Sequence, residues 1–219
     1  MTGELNLVVL GKQGAGKGTQ SQGLCERYTL AHISTGDILR AAVAAGSPLG
    51  LEVKSVLDSG QLVSDELVNK LVEDRLKEPD AERGAVLDGF PRNTGQAQAL
   101  ERLLGPGGIK LCIYVDVANE LVMQRLSSRR VCQECGTIYK DADPAAISGT
   151  CEVCGGDVIQ RSDDKPEVIA ERLATFERDT FPLLSFYEAR ELLVKVDGDQ
   201  AVEKVAADID DLLRGRGLV

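Results

Sequence analysis

VVLGKQGAGKGTQ, residues 8–20, joins a run of aliphatic side chains to a loop of small residues around one lysine. The spacing Gly11-x4-Gly16-Lys17, with Thr19 close behind, follows the phosphate-binding loop pattern between a strand and a helix. Glycines let the backbone wrap around phosphate oxygens with its N–H groups turned inward, and the helix start adds partial positive charge. Lys17 reaches the outer phosphates of a ligand held there, and Thr19 can approach a magnesium ion. A functionless glycine-rich turn is the alternative, but the strand before it and the helix from LCERY onward (24–28) are the context the motif requires.

Outward from this loop, further aliphatic runs appear: LNLVVL (5–10), LAHIS (30–34), AVLDGF (85–90), LCIYVDV (111–117) and LLVKV (192–196). They do not alternate in polarity, as expected of strands buried on both faces. Helical stretches separate them. SDELVNKLVEDRL opens on Ser64 as N-cap, with Leu67, Leu71, Val72 and Leu76 as its apolar stripe. GQAQALERLLG stops at Gly105-Pro106, and PEVIAERLATFERDTF starts on Pro166. ANELVMQRLSSRR, read as one helix, places Arg125 and Arg129 on one face. Strand alternating with helix predicts an α/β fold, a five-stranded parallel sheet covered on both sides.

Composition narrows the function. Net charge is -10, with 43% hydrophobic residues and 4% aromatic ones. Such an acidic chain is a poor general binder of nucleic acid, whose affinity comes from phosphate neutralisation. No 18-residue apolar run predicts a membrane span. MTGELNLVVLG (1–11) lacks the basic start of a signal peptide, so a cytoplasmic protein is expected. The single histidine, His32, and the isolated cysteines Cys25 and Cys112 read as structural.

Residues 128–165 break the strand–helix rhythm. Here Cys132-x2-Cys135 is followed after fifteen residues by Cys151-x2-Cys154, each pair ending in glycine. The spacing is that of a zinc site. Four thiolates close a tetrahedral site and leave no open position, so the metal is expected to be structural. Two disulfides or free thiols are the alternative, and iron also suits four thiolates. An insert with few large apolar residues cannot build its own core, and metal binding takes that place.

Taken together, GKGTQ (16–20), STGDILR (34–40) and DGFPR (88–92) resemble the adenylate kinase family in order and spacing, and the likeness continues to VDGD (196–199). It implies a P-loop NTPase fold divided into a core (1–33, 64–127 and 166–219), an AMP-binding region (34–63) and a zinc-carrying lid (128–165). One departure is Gln13, where the family pattern has proline. The resemblance implies reversible transfer from MgATP to AMP, giving two ADP, in a monomer with no nucleic-acid or membrane partner. It implies an ATP site at Gly14, Ala15, Gly16, Lys17, Gly18, Thr19, Arg125, Arg129, Ile138, Tyr139 and Gln200. It implies an AMP site at Thr35, Arg40, Gln61, Leu62, Val63, Gly89, Phe90, Pro91, Arg92, Gln96, Arg161 and Arg172. Lys17, Arg92, Arg129, Arg161 and Arg172 would surround the transferring phosphoryl group. Asp88, at the end of a buried strand, can hold Mg2+ through water.

The charges are consistent with this. ATP carries about four negative charges, AMP about two, and magnesium offsets two, which leaves roughly four for a few focused arginines and one lysine. No general base is needed, because the attacking phosphate oxygen is already ionised. Two other readings remain at this point: a kinase for UMP or CMP, or with GTP as donor, and a zinc-ribbon protein that binds nucleic acid.

Overall fold

A computed structural model describes residues 4–219; Met1 to Gly3, where the expected core and the stretch MTGELNLVVLG begin, lie outside the described residues. The elements, in chain order, begin with β1 (Asn6–Leu10), α1 (Lys17–Tyr28), β2 (Ala31–Ser34), α2 (Thr35–Ala44) and α3 (Pro48–Asp58). Next come α4 (Asp65–Leu76), β3 (Ala85–Asp88), α5 (Thr94–Leu104), β4 (Ile109–Asp116) and α6 (Asn119–Ser128). The insert holds β5 (Arg129–Cys132), β6 (Ile138–Lys140), α7 (Pro144–Ser148) and β7 (Val158–Ile159). The chain then closes with α8 (Pro166–Thr175), α9 (Pro182–Glu188), β8 (Leu193–Asp197) and α10 (Val202–Gly215).

Among the described residues, five strands form one parallel sheet in the order β2-β3-β1-β4-β8. This is the sheet the aliphatic runs predict. Every residue of β1 is buried, because helices cover both faces. Two apolar layers result. One gathers Val8, Ile33, Leu87, Leu100 and Leu183, the other Leu7, Ile113, Leu126, Ile169 and Ile209. β8 is an edge strand and alternates, with Val194 and Val196 buried while Lys195 and Asp197 are exposed.

Three helix expectations need correction. The helix through ANELVMQRLSSRR ends at Ser128, and Arg129 has extended backbone (φ -68°, ψ 135°), so Arg125 and Arg129 do not share a helix face. The chain leaves the helix there because Arg129–Val131 pair with β6 in an antiparallel ladder. In α4 the two buried positions are Val68 and Val72, with Leu67, Leu71 and Leu76 packed beside them, so the stripe is centred one residue away. The helix from Pro166 is interrupted at Phe176–Thr180 by a wide turn in which the Phe181 N–H donates to the Phe176 carbonyl at 2.8 Å. That turn aims Thr180 at the loop after β3, where its hydroxyl donates to the Arg92 carbonyl at 2.8 Å.

The insert forms its own small sheet, β6-β5-β7, over a minimal core of Cys132, Cys151, Val158 and Tyr139. Among the described residues no helix is long and apolar enough to cross a membrane.

Candidate active site

The loop after β1 turns sharply. Gly14 and Gly16 have φ of 78° and 97°, a region L side chains rarely enter, and a Cβ on Gly14 would lie 2.9 Å from Leu126. α1 starts at Lys17, earlier than LCERY, so the free N–H groups of its first turn face the loop. Lys17 Nζ donates to the Lys12 carbonyl at 2.9 Å, which folds the lysine back over the loop. Arg125 reaches from α6 to the Gly198 carbonyl (3.0 Å), tying α6 to the turn after β8. In that turn Gln200 Nε2 donates to the Asp197 carbonyl at 3.0 Å.

The loop after β3 is built by a chain of short bonds. Thr35, in the first turn of α2, donates its hydroxyl to the Gly89 carbonyl at 2.9 Å, and Arg92 Nε donates to the same oxygen at 2.8 Å. Gln96 accepts from the Arg92 N–H at 2.8 Å and donates to Asp65 at 2.7 Å. Arg92 is thus held through its backbone N–H and Nε, which leaves Nη1 and Nη2 to meet a ligand. Phe90 lies in the apolar layer, so at that position only backbone can face the cleft. Gln61, Leu62 and Val63, between α3 and α4, line the same cleft as Thr35, Arg40 and Arg92.

Cations from four separate segments converge here. Burial pushes Lys17 down from 10.5 to about 8, helped by Arg92, Arg172 and Arg129 and opposed by Asp88. Burial also brings Arg92 down to about 10, with Arg172 and Arg40 pushing the same way. Arg161 falls to about 10 through burial, Arg40 and Arg129. Arg172 is lowered too, by burial first. In each case neighbouring arginines push in the same direction as burial. Like charges this close are costly unless an anion of high charge density comes between them.

Two acids missing from the sequence reading pair with arginines of the basin. Asp164 is fully buried and takes a two-pronged contact from Arg129 (Nε 2.8 Å, Nη2 2.6 Å) and one from Arg172 Nη1 at 3.1 Å. Asp163 meets Arg172 at 3.2 Å. Their place in RSDDKPE, beside Arg161 and just before the α8 start, was the available signal. Asp37 likewise anchors Arg40 at 2.5 Å. Asp88 ends β3 with its carboxylate on the loop side, 3.5 Å from where a Cβ on Gly18 would stand. From β2, His32 Nε2 lies 3.7 Å from the Asp88 carboxylate.

In the insert, the four sulfur atoms of Cys132, Cys135, Cys151 and Cys154 lie within 4.8 Å of one another. The closest approaches, Cys132 to Cys154 (3.5 Å) and Cys135 to Cys151 (3.6 Å), join the two motifs rather than the members of one motif. A tetrahedral thiolate site with metal–sulfur bonds of about 2.3 Å has edges near 3.8 Å, so the donor set fits one such ion. Both motifs make the same turn. The Gly136 N–H donates to Cys132, the Gly155 N–H to Cys151, and both glycines have positive φ (75° and 77°). Tyr139 is committed to this knuckle, its hydroxyl 3.2 Å from Cys151 Sγ, while Ile138 beside it is exposed. Residue 162, near the end of the insert, bridges to α3: the Ser162 hydroxyl donates to Asp58 at 2.7 Å.

The family model described as "Adenylate kinase" matches residues 9–192. The adenylate kinase of Lactobacillus johnsonii is 48% identical over 215 residues, which is 95% of this chain and 98% of the relative. That of a Geobacillus species is 46% identical, covering 96% of this chain and 99% of the relative. That of Fervidobacterium nodosum is 44% identical, covering 96% and 98%. Similarity sustained along almost the whole of both chains leaves one conclusion: the chain belongs to the adenylate kinase family, nucleoside monophosphate kinases that act as ATP:AMP phosphotransferases.

Proposed function

We propose that the reaction MgATP + AMP ⇌ 2 ADP runs across the cation basin, with the donor on the phosphate loop and the acceptor in the cleft beneath α2 and α3. The observation that carries this reading is the convergence of Arg40, Arg92 and Arg172 with Thr35 and Gln96 on one cleft that the phosphate-loop residue Gln13 also lines.

In this division of labour the turns of residues 14–19 wrap the donor phosphates with backbone N–H groups, and Lys17 spans the β- and γ-phosphates. Arg125 and Gln200 border the donor nucleoside, with Ile138 and Tyr139 on the lid side. Thr35, Arg40, Arg92 and Gln96 hold the acceptor phosphate, while Gln61–Val63 and Gly89 offer backbone to its base. Arg129, Arg161 and Arg172 surround the group in flight. Their planar forks take two oxygens at once, which suits the spread charge of the transition state. Asp88 orients the magnesium that arrives with ATP, through its waters. When bound, that ion would supply positive charge to offset the donor phosphates.

The segments divide accordingly: 34–63 as the acceptor arm, 128–165 as the lid, the rest as core. The four cysteines hold one structural Zn2+ per chain, which keeps the lid rigid while it closes and excludes water. A cytoplasmic monomer fits the free thiols and the acidic surface, and the same acidity disfavours nucleic acid as partner.

A coupled assay with AMP, UMP, CMP and GMP as acceptors tests the reading, with metal content measured in parallel. AMP is expected to be turned over fastest, with about one zinc per chain. Turnover of another monophosphate in place of AMP would overturn the acceptor assignment, and a metal-free, reduced, active protein would remove the zinc.

A further inference from the structure

Gln13 sits inside the phosphate loop, between Lys12 and the positive-φ Gly14. Its side chain lines the acceptor cleft together with Thr35, Arg40, Arg92 and Arg172. Its Oε1 is shielded from solvent and has no hydrogen-bond partner among the described residues. A buried amide oxygen without a partner costs on the order of 1–3 kcal/mol, so an amide kept in that state calls for an explanation. The walls around it are cationic and shaped for phosphate. A carboxamide carries two N–H donors beside its oxygen, and half a turn exchanges their places. The oxygen has no partner where it stands; turned over, the NH2 group would find an acceptor in a phosphate held between the arginines.

We propose that Gln13 is a further substrate-binding residue of this chain, its carboxamide NH2 donating to the phosphate of the acceptor nucleotide. The proposal rests on the placement of the acceptor given under Proposed function. It also gives position 13 a role that the proline of the family pattern cannot fill, since proline has no side-chain donor. The contact is neutral, so it adds direction among the arginines without adding to their repulsion.

The test uses Gln13→Leu and Gln13→Glu in the full-length protein, with wild type alongside. Leucine removes the donor at similar size. Glutamate keeps the shape and changes the donor into a charged acceptor. The KM for AMP is expected to rise about tenfold in Gln13→Leu and further in Gln13→Glu, with the KM for MgATP within twofold of wild type. Calorimetric binding of AMP alone should weaken in the same order, and this reads the contact even in a variant with poor turnover. Thermal melting confirms that each variant is folded. AMP affinity within twofold of wild type in both variants would overturn the assignment, as would a rise confined to MgATP. Wild-type protein that fails to phosphorylate AMP would instead sink the parent reading, so the two failures are distinguishable.

Discussion

The main sheet and the insert solve the same problem in different ways. At the centre of the sheet, Leu7, Val8, Leu87, Leu111 and Ile113 are completely buried, and helices on both faces close two apolar layers. In the insert, three short strands enclose little more than Cys132, Cys151, Val158 and Tyr139. Burial of roughly 25 cal/mol per Å² of apolar surface carries the first and cannot carry the second. The lesson is one of placement. Lys17 and Arg92 stand on a framework that burial alone makes rigid. Arg161 stands at the end of the insert, where Asp163 and Asp164 next to it are held by Arg129 and Arg172 rather than by an apolar core.

Removing the proposed zinc is the change expected to break the comparison most strongly. Structural zinc contributes apparent binding free energies of about 10–16 kcal/mol in small peptides, which here would fall on the insert alone. Chelation under reducing conditions should therefore melt residues 128–165 first. Hydrogen exchange is expected to show lost protection in β5, β6 and β7 while β1, β3 and β4 remain protected. A single cooperative collapse of the whole protein would show that the insert and the sheet are not independent.

Lys17→Ala and Arg92→Ala address the other half. Both side chains rise from the main framework, and each is proposed to meet substrate phosphate. A well-placed cation in phosphoryl transfer is worth about 10³–10⁵ in rate, so kcat/KM should fall by about 10³ or more. The melting temperature should hold or rise, because each change relieves repulsion in the basin. Turnover within tenfold of wild type would remove the residue from the machinery.

How far the sequence foretold all this depends on how local each signal is. β1, β3 and β4 are legible because their runs of aliphatics are buried on both faces. The phosphate loop and the cysteine turns are legible because glycine and cysteine there are dictated within a few residues. Arg129 was misplaced because periodicity continues through Ser127 and Ser128, while the β6 ladder that ends the helix lies ten residues further on. Asp164 was missed for the same reason: its partners Arg129 and Arg172 come from other elements, and only the fold brings three charges to one buried carboxylate. The wide turn at Phe176–Thr180 has no local marker either; one of its contacts, Thr180 to the Arg92 carbonyl, is with a loop 88 residues away in the chain.

A smaller and sharper contrast comes from paired core substitutions. Ile113 is wholly buried in the middle of β4, while Val158 is the main aliphatic of the insert. Ile113→Ala should cost about 2–5 kcal/mol of global stability, read as a lower denaturation midpoint. Val158→Ala should leave that midpoint within about 0.5 kcal/mol and instead raise hydrogen exchange in the insert. Equal shifts of the global midpoint would mean that the two regions unfold as one.

The smallest effect expected is a pH dependence, and its sign follows from Lys17. Its folded pKa, about 8, lies below the ordinary 10.5, because burial and three arginines outweigh Asp88. Below pH 8 the lysine is charged whether the chain is folded or unfolded, and the full cost of burying that charge is present. Between pH 8 and 10.5 the unfolded chain still holds the proton while the folded, nucleotide-free chain gives it up, so stability should rise with pH across that window. Nucleotide works in the opposite direction. A phosphate beside Lys17 restores the proton, so binding takes one up, and the affinity for ATP should fall by up to about tenfold per pH unit above 8. Arg92, at about 10, stays charged through most of that range, so AMP affinity should change less between pH 8 and 9. Calorimetry at pH 9 in two buffers of different ionisation enthalpy measures the uptake directly. Proton release, or none, would mean that Lys17 is not the group that meets the donor phosphates.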